Sequence, residues 1–73
     1  MDYDKSYQKV VSKIANNIKQ LRLKSGITQE RMIEYGFNYR HYQKLERGKH
    51  SPSLFTLYRL CKIFKVDINK LFD

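Results

Sequence analysis

Gly26-Ile-Thr-Gln-Glu30-Arg-Met-Ile-Glu-Tyr35-Gly-Phe-Asn-Tyr-Arg40-His-Tyr-Gln-Lys-Leu45-Glu-Arg-Gly48 is the stretch whose reading decides the fold. Two helix starts of the same design lie inside it. Thr28 can cap one helix, with Ile27 before it and Met32 four positions on. Asn38 can cap the next, with Phe37 before it and Tyr42 at the fourth position. A polar cap flanked by an apolar pair satisfies an orphan helix amide and fixes the angle at which the chain enters. The predicted helices are 28–35 and 38–47, joined by a tight turn at Gly36-Phe37. With Phe37, Tyr42 and Leu45 turned inward, helical geometry sends Tyr39, Arg40, Gln43, Lys44 and Arg47 to the opposite side.

Outward from this pair the pattern stays helical. Tyr7, Val11, Ile14, Ile18 and Leu21 recur every three or four residues, the apolar face of a long first helix over about 5–24, closed after Ser25 by Gly26. Lys5, Lys9, Lys13 and Lys19 fall on its other side. Ser51-Pro-Ser53 opens a fourth helix, 53–64, with Leu54, Leu57, Leu60, Cys61 and Phe64 inward. Asp67, between Val66 and Leu71, caps a fifth over 67–72. No strand alternation, repeat or linker interrupts the chain. The expected architecture is all-α, five compact helices in a single domain over 1–73.

Composition narrows the classes of function. At 73 residues the chain buries a thin core, so an elaborate enzyme is disfavoured. Fifteen Lys and Arg against seven Asp and Glu give a net charge of +8, which favours a polyanionic partner, a nucleic acid or an acidic membrane face. No apolar run approaches the ~20 residues of a membrane span, and the apolar side of the first helix lacks Trp and Phe, which weakens a membrane-surface reading. The start, Met1-Asp-Tyr-Asp4, has neither a basic segment nor an apolar one, so no signal peptide is expected. The single cysteine, Cys61, forms no internal disulfide; its place on an apolar face makes it a packing residue in a reducing compartment. His41 and His50 lack further ligands at zinc-site spacing, so no metal is expected. No nucleophile–base arrangement, paired carboxylate or phosphate-cradling glycine loop points to catalysis.

The third helix carries the functional signal. From Asn38 to His50 the chain holds Arg40, Lys44, Arg47 and Lys49 against one acid, Glu46. A compact helix pair whose second member presents a basic, hydrogen-bonding face is the layout of a helix-turn-helix. Ile18-Lys-Gln-Leu-Arg22, Gly26-Ile-Thr-Gln-Glu30, Leu45-Glu-Arg-Gly48, Ser51-Pro-Ser-Leu54 with Leu57, and Val66-Asp-Ile-Asn-Lys-Leu-Phe72, taken together and in order, resemble the Cro and phage-repressor type, or Xre-like, helix-turn-helix family over about residues 14–72. The resemblance implies a lambda-repressor-like domain that binds double-stranded DNA as a homodimer on a palindromic operator. It implies base contacts from Tyr39, Arg40 and Lys44, and a phosphate contact from Gln29; Gln43, on the same outward side, is expected at bases too. Asn38, Arg47 and Lys49, near the ends of the third helix, are expected at phosphates too. It also implies a structural pair between Arg22 and Glu46.

Two departures stand out. Thr28 and Glu46 are 18 positions apart, one fewer than is usual in the family, and the missing residue falls near Tyr35-Gly36. Ile33 occupies the place where alanine normally sits between the two helices, so a changed packing angle is expected there. Phe55, Ile68, Leu71 and Phe72 are the expected dimer surface, with Tyr3 and Tyr7 as an alternative contact. The function expected is transcriptional regulation, by a repressor or controller in a bacterial or phage cytoplasm, without cofactor or small-molecule ligand. A protein-interaction module on the same fold is the alternative, and binding of nucleic acid without sequence preference is a third reading.

Overall fold

The computed structural model describes residues 3–73; Met1 and Asp2, where the start was read for a signal peptide, lie outside the described residues. Five helical segments and no strand occur among the described residues. Three are α-helices: α1 over Tyr3–Lys24, α2 over Tyr39–Glu46 and α3 over Leu54–Phe64. The other two, Glu30–Tyr35 and Ile68–Leu71, are 3-10 helices rather than the α-helices expected over 28–35 and 67–72.

Local chemistry sets the boundaries. The Thr28 hydroxyl accepts from the amide of Arg31 at 3.2 Å, the Asn38 carboxamide oxygen from that of His41 at 3.0 Å, and Ser53 Oγ from that of Thr56 at 3.1 Å. Pro52 therefore precedes the cap of α3 instead of opening the helix. Asp67 makes no side-chain capping bond. At the end of α2 the amides of Gly48 and Lys49 return to the carbonyls of Leu45 and Lys44, which closes the helix with Gly48 at φ +72°.

Ile14 and Ile18 of α1 meet Met32, Phe37, Tyr42, Leu45, Leu57, Leu60, Cys61, Phe64 and Leu71 in one core. The molecule extends 41 × 25 × 19 Å. Its long dimension suits α1, whose 22 residues rise roughly 33 Å at 1.5 Å per residue.

Five expected placements are corrected. Tyr7, assigned to the core face, is 54% exposed, because residues 3–10 of α1 bury nothing and the core begins at Val11. Leu54, expected inward, is 72% exposed, since only Leu57, Leu60, Cys61 and Phe64 of α3 face the body. Ile33 is exposed and does not crowd the contact between the two helices of the pair. Met32, the apolar position expected inward beside the Thr28 cap, is fully buried. Leu71, expected at a dimer surface, is completely buried, and Ile68 is partly buried against the core. The side-chain amide of Asn17 donates to the Leu71 carbonyl at 2.9 Å, so the C-terminal turn lies against α1.

Candidate nucleic-acid interface

The inner side of α2 is anchored by shape and charge. Tyr42 and Leu45 are buried, and Phe37 meets Tyr42 edge-on with ring centroids 5.5 Å apart. One turn on, Arg22 Nε donates to Glu46 Oε2 at 2.6 Å and Nη2 to Oε1 at 3.2 Å, a two-pronged pair. The third guanidinium nitrogen donates to the Ile27 carbonyl at 2.8 Å, and the Gln29 amide donates to Glu46 Oε1 at 3.0 Å. Both charged side chains are nearly dry, 7% and 3% exposed. Burial by itself would push the Glu46 carboxyl up; the hydrogen bonds led by Arg22 outweigh it and hold the group below the usual carboxylate range. The same hydrogen bond raises Arg22. The Tyr42 hydroxyl is buried within electrostatic reach of this pair but has no hydrogen-bond partner among the described residues, and burial foremost raises its pKa far above the ordinary value.

The outer side is built differently. Arg40, Lys44, Arg47 and Lys49 are exposed and Gln43 is half-buried. Among the described residues none of the four cationic side chains joins an ion pair. Tyr39 is half-buried and donates its hydroxyl to Glu30 Oε1 at 3.2 Å, which ties the first turn of α2 to the preceding 3-10 helix. That bond, with burial as the larger cause, raises the tyrosine, while Glu30 is lowered first by a backbone hydrogen bond and then by Tyr39. Asn38 uses its carboxamide oxygen as the cap. Gln29 is half-buried, with its side-chain amide on Glu46 of the ion pair.

Two features escaped the sequence reading. His41 and His50 come together edge-on, centroids 4.3 Å apart, linking the first turn of α2 to the loop beyond its end. Arg59 of α3 reaches back to the turn before α2: it donates to the Tyr35 carbonyl at 2.9 Å and lies 4.3 Å over the Phe37 ring. Gly36, at φ +92°, lets this happen, because a Cβ there would stand 3.1 Å from the Arg59 guanidinium. An arginine on the outer flank of a helix carries no periodic signal that marks it for such a contact.

The sequence matches the helix-turn-helix family model over residues 18–71. The chain belongs to this family. It is the Xre/Cro-like family of DNA-binding transcription regulators, as the sequence resemblance implied. Relatives named as uncharacterized HTH-type transcriptional regulators include y4dJ of Sinorhizobium fredii, 35% identical over 54 residues covering 73% of this chain and 70% of the relative. A protein of Archaeoglobus fulgidus is 36% identical over 56 residues, 75% of this chain and 80% of its own. YgzD of Bacillus subtilis is 31% identical over 58 residues, 78% and 88% of the two chains. Among solved structures, the restriction-modification controller protein C.AhdI from Aeromonas hydrophila shares the fold with a TM-score of 0.78 at 24% identity, over 85% of this chain and 96% of that one. The family match begins within α1, so this helix-turn-helix chain carries about four helical turns ahead of it.

Proposed function

We propose that the chain is a sequence-specific DNA-binding transcriptional regulator that sets α2 into the major groove and acts by occupying its operator. The carrying observation is the outer side of α2 and the loop after it: among the described residues Arg40, Lys44, Arg47 and Lys49 join no ion pair, while the one acid of α2, Glu46, is locked into the core. Arg40 and Lys44, one turn apart, are assigned to base edges, where arginine matches the O6 and N7 acceptors of guanine. Tyr39 and Gln43 flank them. Arg47, Lys49 and the amide-bearing Asn38 and Gln29 are assigned to phosphates, which position the domain without reading sequence.

The protein acts as a homodimer on a two-fold operator with half-sites roughly 10 base pairs apart. Leu54, Phe55 and Tyr58, 72%, 68% and 53% exposed on one side of α3, support a self-complementary patch, and Phe72 adds to the exposed apolar surface. Leu71 takes no part in that patch. A bacterial or phage cytoplasm is the proposed setting; among the described residues no helix is long and apolar enough to cross a membrane.

Selection of bound duplexes from a random library tests the reading. A G-containing palindromic consensus is the expected result. Equal recovery of all sequences reduces the function to binding without sequence preference, and no retained DNA favours a protein-interaction module. Sedimentation of the parent and Phe55→Lys, free and on DNA, tests the dimer: a parent that stays monomeric in both states removes it.

A further inference from the structure

Residues 3–10 of α1 are all exposed, so this part of the helix contributes nothing to the core. Two of its side chains, Tyr7 and Gln8, reach the loop that follows α2. Tyr7 and Ser51 share a hydrogen bond between their hydroxyls, across 44 positions of sequence. Gln8 donates its amide to the Gly48 carbonyl at 3.1 Å, and the same amide lies 3.3 Å from Ser12 Oγ, which keeps it on that side of the helix. Gly48 is itself seated on α1, for a Cβ at that position would stand 3.4 Å from Ser12 Oγ and 3.5 Å from Ser12 Cα. Arg47 and Lys49 flank Gly48, and the loop continues through His50 to Ser51.

We propose that the first turns of α1 are a brace, with Tyr7 and Gln8 as positioning residues, that holds the loop 47–51 in the form in which Arg47 and Lys49 meet phosphates. The inference rests on the DNA-binding reading above. Its physical basis is preorganisation. An unbraced loop bearing two long cationic side chains must be ordered when DNA arrives, and that ordering subtracts from affinity.

The test uses the full chain and the duplex recovered by selection. Tyr7→Phe/Gln8→Ala, Lys49→Ala and the three changes combined are titrated with DNA at several salt concentrations, and each is melted. The double variant is expected to melt with the parent, because its lost side chains are exposed. It should bind roughly three- to tenfold more weakly, since losing both bonds leaves the loop to be ordered on binding. Its log–log salt slope should fall by about one, as for a lost phosphate contact. Adding Lys49→Ala should then cost less than it does in the parent, since the brace acts through that contact. Parental affinity and slope in Tyr7→Phe/Gln8→Ala, or full additivity with Lys49→Ala, overturns the brace. A parent that binds no duplex overturns the DNA reading and the brace with it, and that failure is seen before any variant is made.

Discussion

On one side of α2, Glu46 is 3% exposed and receives hydrogen bonds from Arg22 and Gln29; on the other, Arg40 and Lys44 are exposed and, among the described residues, join no ion pair. Eight residues of helix thus carry two electrostatic regimes. In the first, charge is desolvated and must be matched within the protein, so it acts on stability. In the second, charge stays solvated and unmatched, so it acts on whatever anion arrives. The inner side is therefore tested by melting and the outer side by binding, and a variant that moves the wrong observable breaks the contrast.

The largest effect is expected from Glu46→Ala. It strands the Arg22 guanidinium in a nearly dry site and should cost about 3–5 kcal/mol of stability, a large share of what a small domain possesses. A melting temperature equal to the parent's would make the pair as idle as a surface one. The same group predicts an acid limit. Its folded-state carboxyl is held below the ordinary 4.5, so its contribution is complete above that value and is lost as the pH falls through the lower, folded one. Melting should hold level from this source between pH 6 and 8 and decline below about pH 4.5 in the parent, by more than in Glu46→Gln.

Arg40→Ala should leave melting unchanged and cost about 1–3 kcal/mol of DNA binding, with preference relaxed at one base pair. If it unfolds the domain, or retains the parental consensus, the outer side is not the reading surface assigned to it. Gly36→Ala sharpens the boundary between the two regimes. It imposes a left-handed conformation on alanine, a cost of about 1–2 kcal/mol, and presses on Arg59; melting and affinity should fall together, because the turn places α2 as a whole. The smallest effect belongs to Lys49→Ala, which should weaken all duplexes alike and lower the salt slope by about one per protomer contact. A changed sequence preference in that variant would move Lys49 from backbone to base.

Much of the inner side was legible because its signals are local. Asn38 caps the amide of His41 three residues away, and the three- to four-residue recurrence of Val11, Ile14 and Ile18, and of Leu57, Leu60 and Phe64, marks the faces that pack. The Arg22–Glu46 contact was suggested by the family pattern and not by periodicity, since two charged residues 24 positions apart announce nothing by themselves. The outer side was legible as a basic, amide-rich surface from charge and helical phase alone.

Where two elements land on each other was not legible, and there the tertiary structure decided. The segment 30–35 reads as an ordinary helix from its cap and apolar spacing, yet it winds as a 3-10 helix, with Met32 buried and Ile33 exposed. Leu71 reads as surplus apolar surface until the C-terminal turn is bonded to Asn17, 54 positions earlier. Arg59 over Phe37, His41 against His50 and Tyr7 on Ser51 likewise join residues on different segments. Sequence by itself determined which residues prefer helix, where helices begin and which faces are apolar, because those depend on neighbours within about one turn. Which exposed face meets which loop depends on the packed positions of whole helices, and only the folded chain holds that information.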